Sequence, residues 1–130
     1  MSDNPVIASF LEGIVGADIP ASVFHDQAVL DATVPNWRFQ VHGAAAVRSE
    51  LARWYADPGR FDEVRRTSIP DGELVELTLG WYEDGVEHMC HQAHVIQLRD
   101  DRVVRDTVWC GGRWPAPLIA EIGAAARPVP

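Results

Sequence analysis

The chain has 130 residues, of which 47% are hydrophobic and 23% charged, and it carries a net charge of −8 at pH 7. That is the size and balance of one globular domain able to bury a single core. The negative charge argues against nucleic acid, which is bound by basic surfaces, and no apolar run approaches the roughly 20 residues of a membrane span. The opening MSDNPVIASF has no basic stretch ahead of its apolar residues. It therefore does not read as a secretory signal, and a soluble cytoplasmic protein is expected. In that compartment Cys90 and Cys110 are expected as thiols rather than a bridge.

In chain order, Asp3 or Ser2 is expected to cap a first helix with Pro5 in its first turn. Val6, Ile7, Phe10, Leu11, Ile14 and Val15 give it one apolar face, and Gly16 ends it. A short helical turn spans Ile19 to Phe24. Ala28 to Val34 reads as a strand ending at Pro35, and Arg38 to Val41 as a brief return strand. Gly43 opens a helix over Ala44 to Tyr55, with Ala44, Val47, Leu51, Trp54 and Tyr55 as its apolar stripe. Asp57-Pro58-Gly59 stops it.

Phe61 to Ile69 has no strongly apolar face and reads as an edge strand. Glu73 to Tyr82 alternates Val75, Leu77, Leu79 and Trp81 against Glu76, Thr78 and Gly80, the pattern of a half-buried strand. After Pro115 the pattern weakens to a helical turn around Leu118 to Ile122 and a frayed RPVP end. Helices and one early strand followed by a run of antiparallel strands is an α+β layout.

The stretch from Val86 to Trp114 reads as two long strands joined at Arg99-Asp100-Asp101. With a three-residue loop, Leu98 faces Arg102, His94 faces Asp106 and Cys90 faces Cys110. His88, Cys90, Gln92, His94, Ile96 and Leu98 then share one face with Val104, Asp106, Val108 and Cys110. A two-residue loop would instead put His94 opposite Thr107 and break the pairing.

A carboxylate beside an imidazole fixes its tautomer and suits it to general base or acid work. His94 and Asp106 are therefore the catalytic candidates. Gln92 is the candidate donor to a substrate carbonyl. Trp37 in PNWRF is a candidate lid residue, Tyr55 offers a hydroxyl inward, and Cys110 completes the substrate-binding set. The competing reading is that the His94–Asp106 pair is a buried polar contact that only fixes register. No metal site is expected, because the strand rise spreads His88 and His94 about 20 Å apart along the ladder. No dinucleotide or phosphate-loop signature is present, and no cofactor is expected.

The opening helix, FHDQAVLDATV, the Gly43 helix ending in WYADPGRF, and meander strands closing on RVVRDTVWCGGRW together resemble the nuclear transport factor 2-like superfamily. The resemblance is to its SnoaL-like and ketosteroid-isomerase-like branch. It implies a cone in which a strongly bent antiparallel sheet wraps around N-terminal helices and encloses an apolar pocket. It also implies a homodimer formed through the outer sheet face. Members include isomerases, polyketide cyclases, epoxide hydrolases, dehydratases and proteins with no catalytic role.

The carry-over of site residues is mixed. The isomerases' catalytic base falls at Ala32, with Asp31 beside it on the opposite face. Their second acid falls at His94. Arg105-Asp106 loosely resembles the Arg-Asp pair of the epoxide hydrolases, although an ungapped match puts Val108 there, and their remaining partners fall at Thr78 and Gly80, so their triad is not expected. For the cyclases' pocket Asp, Asp106 is the candidate. The isomerases' pocket Tyr has no counterpart, since Phe10 and Leu11 stand there. The expectation is thus a pocket for a small hydrophobic molecule, with cofactor-free acid–base chemistry if it is an enzyme. The alternative is a non-catalytic ligand-binding or dimeric interaction domain, its interior filled by Trp81, Trp109 and Trp114.

Overall fold

A computed structural model describes residues 4–126. Its elements are α1 (Pro5–Gly16), a 3-10 turn (Ala21–Val23), β1 (Phe24–Val34), β2 (Trp37–His42), α2 (Ala44–Trp54), β3 (Gly59–Ile69), β4 (Gly72–Glu83), β5 (Val86–Arg99), β6 (Arg102–Cys110), β7 (Trp114–Pro115) and α3 (Ala116–Ala125). The strands form one curved sheet in the order β2-β1-β6-β5-β4-β3, with β7 added beside β5. β1 and β6 run parallel and every other pair is antiparallel. α1 and α2 lie on the inner face, so the architecture is an α+β cone with β3 and β2 at its two edges.

The residue that caps α1 is Asn4, whose side-chain oxygen accepts from the N–H groups of Val6 and Ile7 at 3.0 and 3.1 Å. The expected caps Ser2 and Asp3, like the RPVP end, lie outside the described residues. Pro5 stands in the first turn, where its missing N–H costs nothing. Ile7, Phe10, Leu11 and Ile14 are buried as the periodicity requires. From α2, Val47, Leu51 and Tyr55 reach the same core. Inward residues of β4, Val75, Leu77, Leu79 and Trp81, meet them from the sheet.

A second tie joins α1 to the far edge of the sheet. Glu73 on β4 is fully buried and receives two hydrogen bonds from Arg66 on β3, at 2.7 and 2.8 Å. The same guanidinium donates to the carbonyl of Asn4 at 3.0 Å. A bidentate fork holds both oxygens of the carboxylate and explains how the charge is tolerated there. α3 is longer than the weak pattern of the tail suggests. It covers ten residues and packs beside β5 and β7 without burying any of its side chains.

The β5–β6 hairpin departs from the expected register. Its loop has two residues, Asp100 and Asp101, with φ of 53° and 57°. Both in the left-handed region is the type I′ solution, which Asp tolerates. Arg99 therefore pairs with Arg102 and Leu98 with Val103. One step on, a bulge in β6 leaves Val104 without an opposite number, and Gln97 pairs with Arg105. The bulge changes the parity of everything beyond it. His94 faces Val108 rather than Asp106, Cys110 faces Gln92 rather than Cys90, and Asp106 faces Ile96. Asp106 nevertheless points to the inner face, one diagonal step from His94. Val103 is 1% exposed and has taken the inward place expected for Val104.

This register predicts an asymmetry that urea denaturation measures. Val103→Ala should cost about 2 kcal/mol, the value of a buried branched side chain. Val104→Ala should cost less than about half of that. Equal costs, or the reverse order, would contradict the bulge.

Candidate functional site

β5 supplies three inward side chains in alternate positions, Cys90, Gln92 and His94, and β6 supplies Asp106 and Cys110. Tyr55 follows α2 as its C-cap and is buried, with its hydroxyl reaching this face. Hydrogen bonds join most of this set into a chain. His94 Nδ1 lies 2.9 and 3.1 Å from the two Asp106 oxygens. His94 Nε2 lies 2.9 Å from Gln92 Oε1, and Tyr55 donates its hydroxyl to that oxygen at 2.7 Å. The Gln92 amide nitrogen then donates to Cys110 Sγ at 3.5 Å.

Gln92 Oε1 is an acceptor, so His94 Nε2 donates to it, and one proton is shared between Nδ1 and the Asp106 carboxyl. The pair as a whole has no net charge, which is how it survives at 0% exposure. Phe10 closes over it edge-on, with ring centroids 6.1 Å apart.

A cavity of about 470 Å³ lies between the end of β1, the C-terminal end of α2 and the inward residues of β4, β5 and β6. Its apolar wall is Val34, Pro35, Trp54, Leu79 and Trp81, and its polar floor is Tyr55, Cys90, Gln92 and Cys110. Glu50, Arg53 and Arg113 stand around it, with Arg113 stacked over the Trp81 ring at 5.4 Å from its centroid. His94 and Asp106 do not line this cavity. Gln92 is interposed, so the imidazole reaches the interior of the cavity only through the amide. Trp37, expected over the pocket, is 69% exposed at the β1–β2 turn and is not among its lining residues. Trp81 contributes to the cavity wall rather than filling it, and Trp109 faces outward at 48% exposure.

The two thiols are strongly differentiated. Cys90 and Cys110 are both free. The Cys90 thiol as donor lowers the Cys110 thiol to about 6, against the cost of burial and helped by the Gly112 N–H, Gln92 and the nearby His94. The Cys90 thiol moves the other way, because ionising it would face a charged neighbour in a buried place. Burial, with Asp106 next in effect, pushes the Tyr55 hydroxyl well above its usual range, so it stays a donor. Sequence reading placed Cys110 on this face. What it lacked was the return of the chain at Gly111-Gly112 that brings an N–H onto the sulfur.

The positions suggested by resemblance fall in two groups. Ala32 is fully buried on the inner face, while Asp31 lies on the outer face. There Arg38 holds its carboxyl below the usual range through two hydrogen bonds, against the cost of burial and with help from Gln40 and Arg105. Thr78 bonds His91 at 2.8 Å, and Gly80 lies under the Arg60 guanidinium. Both occupy the face of β4 turned away from Leu77 and Leu79.

No family model and no curated protein matches the sequence. Solved structures do match. An NTF2-like protein from Anabaena variabilis superposes with a TM-score of 0.71 over 82% of this chain and 84% of its own, at 11% identity. The chain has the NTF2-like fold. An M. tuberculosis LEH-like epoxide hydrolase shares it with a TM-score of 0.65, 14% identity, and coverage of 82% and 80%. So does a protein with a ketosteroid isomerase-like fold from Catenulispora acidiphila, solved with trimethylamine, at TM-score 0.65, 13% identity, and coverage of 98% and 100%. Among the described residues of this NTF2-like chain no helix is long and apolar enough to cross a membrane.

The lowered thiol has a signed consequence. Thiolate absorbance at 240 nm should rise through a midpoint near 6 as pH increases, and Cys110→Ser should remove that step. The folded value lies below the ordinary thiol value of about 8.5. The stability it contributes is therefore full above about 8.5 and is lost as pH falls through 6. A single step near 8.5 in the wild type would show that the donors do not act on this sulfur.

Proposed function

We propose that the protein binds a small, mostly apolar carbonyl compound in the 470 Å³ cavity and promotes proton transfer next to that carbonyl. The observation that carries this reading is the chain from Asp106 through His94 to Gln92, which ends at the cavity floor. Gln92 Oε1 accepts from both His94 and Tyr55, which polarises the amide and strengthens its N–H groups as donors. One amide hydrogen goes to Cys110 Sγ, and the other serves a ligand oxygen. A donor fixed in an apolar cavity favours the oxyanion that develops when water takes a proton from the adjacent carbon and the C–H electrons move toward the carbonyl oxygen. That step is common to isomerisation, cyclisation and dehydration.

On this reading Gln92 touches the substrate, while His94 and Asp106 are positioning residues. Their burial behind the amide supports a role in orientation rather than direct proton abstraction. The cavity volume and its Trp54 and Trp81 walls suit a ligand of one or two fused rings.

The first test uses prodan, a naphthalene ketone whose emission moves to the blue in apolar surroundings. Wild-type protein should bind it saturably with a blue shift. Gln92→Leu should weaken binding about tenfold, the worth of one buried hydrogen bond to a carbonyl. Absence of saturable binding would overturn the pocket, and equal affinity of the variant would overturn the role of Gln92.

A further inference from the structure

Gln92 Nε2 donates to Cys110 Sγ at 3.5 Å on the floor of the cavity. The Cys90 thiol and the Gly112 N–H favour the charged form of the same sulfur. A half-buried thiol that only filled space would gain little from a buried amide turned toward it, since a neutral sulfur is a weak acceptor. Donors of this kind stabilise a thiolate, and the thiolate is the reactive form. The turn that supplies the N–H depends on Gly112, whose φ is +114°. A Cβ there would also come within 3.2 Å of Pro35 Cγ and 3.3 Å of Trp114 Nε1. Backbone, amide and second cysteine are thus all committed to Cys110, and Cys110 faces the cavity.

We propose that Cys110 is a nucleophile toward soft carbon electrophiles, and that the cavity takes α,β-unsaturated carbonyl compounds, which become bonded to its sulfur. This rests on the reading of the cavity as a carbonyl site. The thiol first gives its proton to water. A sulfur lone pair then forms a bond to the β-carbon. The C=C π bond breaks, and its electrons move toward the carbonyl oxygen as an enolate. Gln92 Nε2–H holds that oxygen while the α-carbon takes a proton from water. The net change adds S–H across C=C, with no oxidant or reductant. Cys90 is 3% exposed and stays protonated, so it serves as donor to Cys110 and not as a second nucleophile.

Acrylodan, the acryloyl analogue of prodan, carries the same naphthalene next to a conjugated double bond and is the probe of choice. With the full chain it should add one probe mass, mapped by peptide mass spectrometry to Cys110. At pH 6 the rate should exceed that of N-acetylcysteine at least about tenfold, since the larger thiolate fraction outweighs the lower intrinsic nucleophilicity. The rate should rise with pH through a midpoint near 6, and excess prodan should slow it. Cys110→Ser should bind prodan and take no label in the cavity, which separates loss of the thiol from loss of the fold. Gln92→Leu and Cys90→Ala should move the midpoint toward the ordinary thiol range. Prodan binding without a Cys110 adduct would overturn this inference and leave the carbonyl site standing. Labelling of Cys110 with no saturable prodan binding would overturn the carbonyl site, and with it the substrate class. Labelling with a midpoint near 8.5 that prodan does not slow would overturn the nucleophile.

Discussion

The hairpin of β5 and β6 turns on two left-handed aspartates, and that turn alone would set His94 opposite Thr107, on the wrong face. One extra residue in β6, Val104, restores the parity. Because side chains alternate with a period of two, this single insertion decides whether Asp106 and Cys110 point inward or outward. With it, the carboxyl meets the imidazole, the imidazole holds the amide, and Cys110 comes beside Gln92. Without it, His94 would be a buried ring with no partner for Nδ1, and the cavity would lose part of its floor. The bulge therefore links backbone geometry to the chemistry available at the site.

The polar chain also accounts for its own burial. Two ionisable groups at the core of a small protein are costly unless each is paired and hydrogen-bonded. Here Asp106 and His94 neutralise one another, and the outward nitrogen of the ring finds the Gln92 oxygen. That arrangement fixes which way the Gln92 amide points. An amide rotated by half a turn would present its oxygen to Cys110 and repel a thiolate. The orientation of one side chain thus sets both the donor offered to a ligand and the ionisation of the neighbouring sulfur. The Arg66–Glu73 pair obeys the same rule at the opposite edge of the sheet, where it anchors the start of α1.

Much of the fold was legible in the sequence because burial imposes periodicity. The helical repeat of Ile7, Phe10, Leu11 and Ile14 and the alternation of Val75, Leu77, Leu79 and Trp81 both survive in the core. Shared faces were legible too: Cys90, Gln92, His94 and Ile96 lie together, and His94 does touch Asp106. The expected reason for that contact was a three-residue loop, whereas the structure reaches it through a two-residue turn and a bulge. Nothing in the run of Val103 and Val104 marks which valine turns inward, since either satisfies the pattern. The order of the site along its depth was equally hidden. Alternation says that Gln92 and His94 share a face, but only packing against α1 and α2 shows that Gln92 stands between His94 and the cavity. Trp37 followed a loop argument that carried no information about direction. The NTF2-like fold supplies the cone and leaves its chemistry to side chains that differ from one protein to another.

The chemistry proposed for the cavity requires that His94 donate from Nε2 to Gln92, so that the amide presents its nitrogen to the cavity. Long-range proton–nitrogen NMR of the His94 ring at pH 7 tests it most directly. A ring protonated at Nε2 is expected, with His94→Asn identifying the resonance. An unprotonated Nε2 would mean that Gln92 donates to the ring and turns its oxygen to Cys110. The cavity would then offer an acceptor where binding of a carbonyl oxygen requires a donor.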